Sequence, residues 1–162
     1  MYSRSFATAV LVVAATFVSG PLSAQTVAAV EQTMVGVSMQ SKRLDTALTS
    51  LGEIEKSLHG ADVGSVGEVA NAGRQFTGAV GEATPVGLIL RHMKSPHDIR
   101  FTRAMLAVSA SKALLIADTD TEIISRYLPQ IQSPEAAAES AKIRDAILET
   151  RSLLETFARI PE

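Results

Sequence analysis

Residues 26–58 read TVAAVEQTMVGVSMQSKRLDTALTSLGEIEKSL. Val27, Val30, Met34, Val37, Leu44, Leu48, Leu51 and Leu58 recur at alternating steps of three and four, interrupted at Ser41 and at Glu55, where Ile54 stands beside the gap. An apolar repeat of 3.5 residues sustained over this length marks a long helix in a bundle or coiled coil. Lys42, Arg43, Asp45, Glu53 and Lys56 fall off the stripe and are expected to face water. Gly60, following His59, is a natural helix stop.

Downstream, Val63, Val66, Ala70, Gly73, Thr77 and Val80 keep the same stepping through a segment that also holds Gly64, Gly67, Gly78 and Gly81. Each glycine costs a helix about 1 kcal/mol relative to alanine. The pattern predicts a helix over 61–84 with a seam of small side chains, fraying near Gly78 and Gly81. The competing reading is a mobile connector. Pro85 and a short apolar run, 86–94, follow.

Ser95-Pro96-His97-Asp98 is a helix start: Ser as N-cap, Pro at the first helical position, an acid in the first turn. The helix it opens carries Ile99, Arg103, Leu106, Ala110, Ala113 and Ala117 on one face, with Phe101, Met105, Val108 and Leu115 expected to widen that core face. Asp118-Thr119-Asp120 is expected to bend or recap it before Ile123, Ile124, Tyr127 and Leu128 carry the pattern to Pro129. Ser133-Pro134-Glu135 repeats the start logic for a last helix over 134–158, with Ile143, Ile147, Leu154 and Phe157 on one stripe. Glu122 with Arg126 and Glu155 with Arg159 are i,i+4 pairs in the favourable order.

Segments 26–58, 62–94, 96–128 and 134–158 thus make four rods joined by short links, which forces antiparallel neighbours. The expected fold is all-α, an antiparallel up-down four-helix bundle. A three-helix bundle with a loose 61–94 segment is the alternative.

The N-terminus carries a different signal. Arg4 is followed by the uncharged run FATAVLVVAATFV (6–18), then Ser19-Gly20-Pro21 and Leu22-Ser23-Ala24. This is the layout of a secretory signal peptide, residues 1–24, cleaved near Ala24. The competing readings are an uncleaved membrane anchor, for which Gly20-Pro21 comes too early in a span of about 20 residues, and a buried core helix. With the leader removed, 25–162 forms a single helical domain whose net charge is about −3, because Arg4 is the only charge lost. That balance gives no drive toward nucleic acid or anionic membranes. Membrane contact is expected only through the transient leader.

The chain has no cysteine and no tryptophan. Disulfides, thiolate metal sites, covalent haem and thiol nucleophiles are thereby excluded. An exported chain without disulfides points to a bacterial periplasmic or secreted protein. Few aromatics argue against stacking platforms for sugars or single strands.

Candidate chemistry is sparse. Glu55 and His59 stand one helical turn apart, and His92 and His97 complete the histidines, but a metal centre needs several convergent ligands. Met34 and Met105 occupy core-type positions, as gap fillers do. Arg91, His92, Lys94, His97, Arg100 and Arg103 concentrate positive charge around a helix start, opposed by Asp98. Of these, Arg91, Lys94, Arg100 and Arg103 are candidates for contact with an anion or an acidic partner. Metalloprotease, nucleophile-elbow, phosphate-loop and dinucleotide motifs are all absent.

The sequence therefore leads to the expectation of an exported, non-catalytic bundle of the cell envelope, without cofactor or metal, acting through a protein partner or self-association. A periplasmic carrier of a ligand or metal, and a regulator at an anionic membrane surface, are the alternatives.

Overall fold

The computed structural model describes residues 24–81 and 83–160, with Arg91 described by its backbone alone. The expected leader lies outside the described residues apart from Ala24. Among the described residues five helices follow in order: α1 (Ala24–Glu55), α2 (Ala61–Gly81), the short α3 (Ala83–Leu88), α4 (Pro96–Tyr127) and α5 (Pro134–Arg159), with 3₁₀ turns at Leu90–His92 and Leu128–Gln130. The four long helices form an all-α, antiparallel up-down bundle, and α3 closes one end. α1 and α4, of 32 residues each, are about 48 Å long.

α1 is helical from the first described residue, Ala24, and ends three residues earlier than the repeat suggests, at Glu55. Its last turn tightens: Ser57 and Leu58 donate to the carbonyls of Ile54 and Glu55 at 2.9 and 3.1 Å, and the Ser57 hydroxyl also donates to the Ile54 carbonyl. These bonds satisfy carbonyls that a helix end leaves open. Gly60 then turns the chain at φ +72°, a conformation that side chains disfavour. Ser95 and Ser133 act as the N-caps that their motifs announce, accepting from the N–H of Asp98 and Ala136.

α1 packs against α5 and α2, and α4 against α2 and α5, leaving α1 and α4 at opposite corners. The other diagonal is short. A methyl group on Gly73 of α2 would stand 2.9 Å from Leu48 Cδ2 and 3.0 Å from Ile143 Cγ2, so α2 lies tight against both α1 and α5. This close approach is what the small side chains of α2 provide. Val66, Val69, Ala70, Ala72, Phe76 and Val80 are buried along it, and the three-helix alternative does not hold.

The core is continuous from Val30, Met34, Val37, Leu44 and Leu51 of α1 to Ile143, Ile147, Leu154 and Phe157 of α5. Two tethers close the ends. The Asp62 carboxylate accepts from the N–H of Gln132 and of Ser133, both at 2.9 Å, tying the start of α2 to the α4–α5 link. At the other end Arg103 donates to the Ile160 carbonyl, joining the start of α4 to the end of α5.

Three expectations are corrected. α4 runs unbroken through Asp118-Thr119-Asp120, because Asp120 turns into the core and the apolar pattern continues to Ile124. Glu155 pairs with Arg151 at 3.0 Å, on the turn preceding it, instead of with Arg159. Phe101, Met105, Val108 and Leu115 do not widen the core face of α4; they point outward. The inward side of α4 is built from Leu106, Ala110, Ala113, Ala117 and Ile124, and its alanines suit a tight approach to the small-residue helix α2.

Candidate functional site

The four residues weighed for a metal centre do not converge. Glu55 and His59 stand at the α1–α2 end of the bundle, and His59 has left the helix, so the one-turn pairing is lost. His92 and His97 lie at the opposite end, a helix length away, and both are exposed. Among the described residues no three His, Asp or Glu side chains gather where a cation would sit.

The basic residues stay near the start of α4. Arg103 donates to the Ile160 carbonyl and so serves as a structural tether. Lys94 is exposed and Arg100 half-buried at the start of α4, where Asp98 already supplies negative charge to the first turn. The Arg91 side chain lies outside the described residues.

A groove of about 350 Å³ runs between α1 and α5, lined in part by Arg43, Glu139, Lys142, Asp145 and Glu149. Its charged groups are engaged in ion pairs: Arg43 with Glu149 at 3.4 Å and Lys142 with Glu139 at 2.6 Å, while Asp145 is held at 2.8 Å by Arg144 beside the groove.

Among the described residues one titratable group is buried. Asp120 of α4 is fully enclosed, and neither of its carboxylate oxygens has a hydrogen-bond partner; the hydroxyls of Thr121 and Ser140 are likewise buried and unpartnered. Loss of solvation pushes the Asp120 carboxyl from 3.8 up to about 6. Asp120 continues the inward stripe of α4 between Ala117 and Ile124, a signal of burial that its charge and the neighbouring Asp118 and Thr119 mask in the sequence.

The remaining feature is the outward face of α4. Phe101, Met105, Val108 and Leu115 are 62, 52, 69 and 69% exposed. They follow one another at steps of four, three and seven, with Lys112 at the intervening position, so they line one stripe about 21 Å long. Ala104, Ala107 and Ser111 are exposed between them. Scattered apolar side chains are ordinary on a protein surface; here four large ones are aligned on one stripe. No family model, characterised protein or solved structure matches this chain. The face must therefore be understood from its own chemistry. It offers apolar area and flanking charge, with no group placed for bond-making. Among the described residues no helix is long and apolar enough to cross a membrane.

Proposed function

We propose that this chain is an exported, non-catalytic helical bundle of the bacterial cell envelope, and that it works by protein–protein contact through the outward face of α4. The observation that carries the reading is the exposed stripe of Phe101, Met105, Val108 and Leu115. A stable helix needs one apolar face, and α4 already has one in Leu106, Ala110, Ala113, Ala117 and Ile124. A second stripe of large side chains adds nothing to the monomer's core. It gains free energy only when a partner removes it from water, at about 25 cal/mol per Å². Export rests on the N-terminal run, and the absence of cysteine in an exported chain supports the bacterial setting.

The test is site-specific photocrosslinking in intact cells, with the photoreactive residue at Val108 and, as control, at the exposed Thr49 of α1. Discrete protein adducts from position 108 alone, in the envelope fraction, are expected. Adducts equally abundant at both positions, none at 108, or adducts to lipid only would overturn the reading. Recovery of the chain in the cytosol with residues 1–24 still attached would overturn the export half of it.

A further inference from the structure

We infer that the occupant of the α4 face is a second copy of this chain, docked antiparallel about a two-fold axis at Val108. The inference rests on the reading above and names the partner. Three observations carry it.

The two ends of the stripe are equidistant from its middle. Phe101 and Leu115 each stand seven residues from Val108, one heptad on either side. In an isologous interface residue i meets residue j and j meets i. An antiparallel pair with Val108 on the axis sets Phe101 against the partner's Leu115 and Leu115 against the partner's Phe101. It also sets Met105 beside the partner's Ser111 and Ala104 beside the stem of the partner's Lys112. Large meets large at both ends and small meets small or flexible between them.

The flanking charge favours this orientation. Lys94, just before α4, and Arg100 are opposed at its start by Asp98, while Asp118 and Glu122 lie toward its end, where Arg126 pairs with Glu122 at 3.1 Å. Arg100 and Asp118 are eighteen residues apart, five full turns, so they lie on the same flank of the stripe. An antiparallel two-fold brings like flanks together and opposite ends together, which places Arg100 of each copy within reach of the partner's Asp118. Asp118 already meets Arg151 at 2.8 Å through Oδ1, and its side chain keeps 60% of its surface free. A parallel pair would set the basic ends against each other and the acidic ends against each other.

The stripe is accessible: Phe101, Met105, Val108 and Leu115 are 52–69% exposed, and Ala104, Ala107, Ser111 and Lys112 between them are exposed as well. The corner position of α4, away from α1, leaves this face open along its length.

The absence of cysteine makes the test direct. Bridged thiols need Cα atoms about 5.5–6 Å apart, which in this arrangement only the axial position satisfies with itself. The full chain carrying Val108→Cys is expected to oxidise to a disulfide-linked dimer. Phe101→Cys alone is expected to stay unlinked, and Phe101→Cys mixed with Leu115→Cys to cross-link in pairs. Sedimentation of the unaltered chain should give twice the monomer mass, and Val108→Glu, an exposed substitution, should halve it at unchanged helix content. A chain that sediments as a monomer at 100 µM, or that links through Phe101→Cys alone, overturns the inference. If it is monomeric and the in-cell adduct at position 108 is a different protein, the homodimer fails while the contact function stands. If no adduct forms either, both fail.

Discussion

Gly73 of α2 sits so close to Ile143 of α5 that a methyl group at its Cα would come within 3.0 Å of the Ile143 Cγ2 atom. The same methyl would meet Leu48 of α1 at 2.9 Å. Three helices therefore meet closely at Gly73, where an added methyl would force the Leu48 and Ile143 side chains to shift, and this close approach marks the short diagonal of the bundle.

Substitutions of α2 glycines should consequently differ in sign. Gly78 is exposed with open space around it, and Gly78→Ala should stabilise the fold by about 1 kcal/mol through helix propensity. Gly73→Ala gains the same propensity but overpacks a tight contact, at a cost of about 1–3 kcal/mol, and Gly73→Val should cost more. Chemical denaturation of the three variants checks this; a stabilising Gly73→Val would contradict the close approach.

Asp120 gives the fold a distinctive pH response. Its carboxyl titrates at about 6 when folded, against 3.8 as a free group, because burial disfavours the charge. The folded state thus holds more protons than the unfolded one between roughly pH 4 and 6, and stability falls as pH rises through that window. Asp120→Asn removes the charge and should unfold at a higher temperature than the parent at pH 7.5, with the gap narrowing toward pH 4. A gap independent of pH would show that Asp120 is not a buried, unpaired acid.

The tether at Asp62 should be measurable alone. Asp62→Ala leaves the N–H groups of Gln132 and Ser133 without their acceptor, at a cost of about 1–3 kcal/mol. Amide exchange at Ser133 should quicken more than exchange in the middle of α5. Unchanged exchange there would remove the tether from the account.

Much of this was legible in the chain. The heptad stripe of 26–58, the two Ser-Pro helix starts and the α5 stripe all lie where local rules put them, because each rests on bonds or burial within a few residues. What periodicity does not decide is which of two stripes on one helix faces inward. α4 has two, and the larger side chains sit on the outer one. Sequence hydrophobicity alone favours burying Phe101 and Leu115, and the tight α2–α4 packing selects alanines instead. Asp120 was misjudged because its charge masks its place on the inward stripe, and its surroundings come from helices distant in sequence. The tether from Asp62 to the α4–α5 link spans about 70 residues and had no local signature.

The inward and outward stripes of α4 should respond oppositely to substitution. Leu106→Ala opens a cavity and should cost about 2–5 kcal/mol. Phe101→Ser and Leu115→Ser, measured at concentrations where the chain is alone, should each stay within about 0.5 kcal/mol. Large losses from the outer pair would return those side chains to the core.

The central claim is that the outer face of α4 is covered when the protein is at work, and methionine oxidation reads this directly. Met105 lies on the stripe at 52% exposure, Met39 on α1 is similarly exposed at 57%, and Met34 is wholly buried. Peroxide treatment of the dilute purified chain should oxidise Met105 and Met39 at like rates and spare Met34. In the intact envelope fraction Met105 should become protected while Met39 stays reactive; equal oxidation of Met105 and Met39 there would contradict the account.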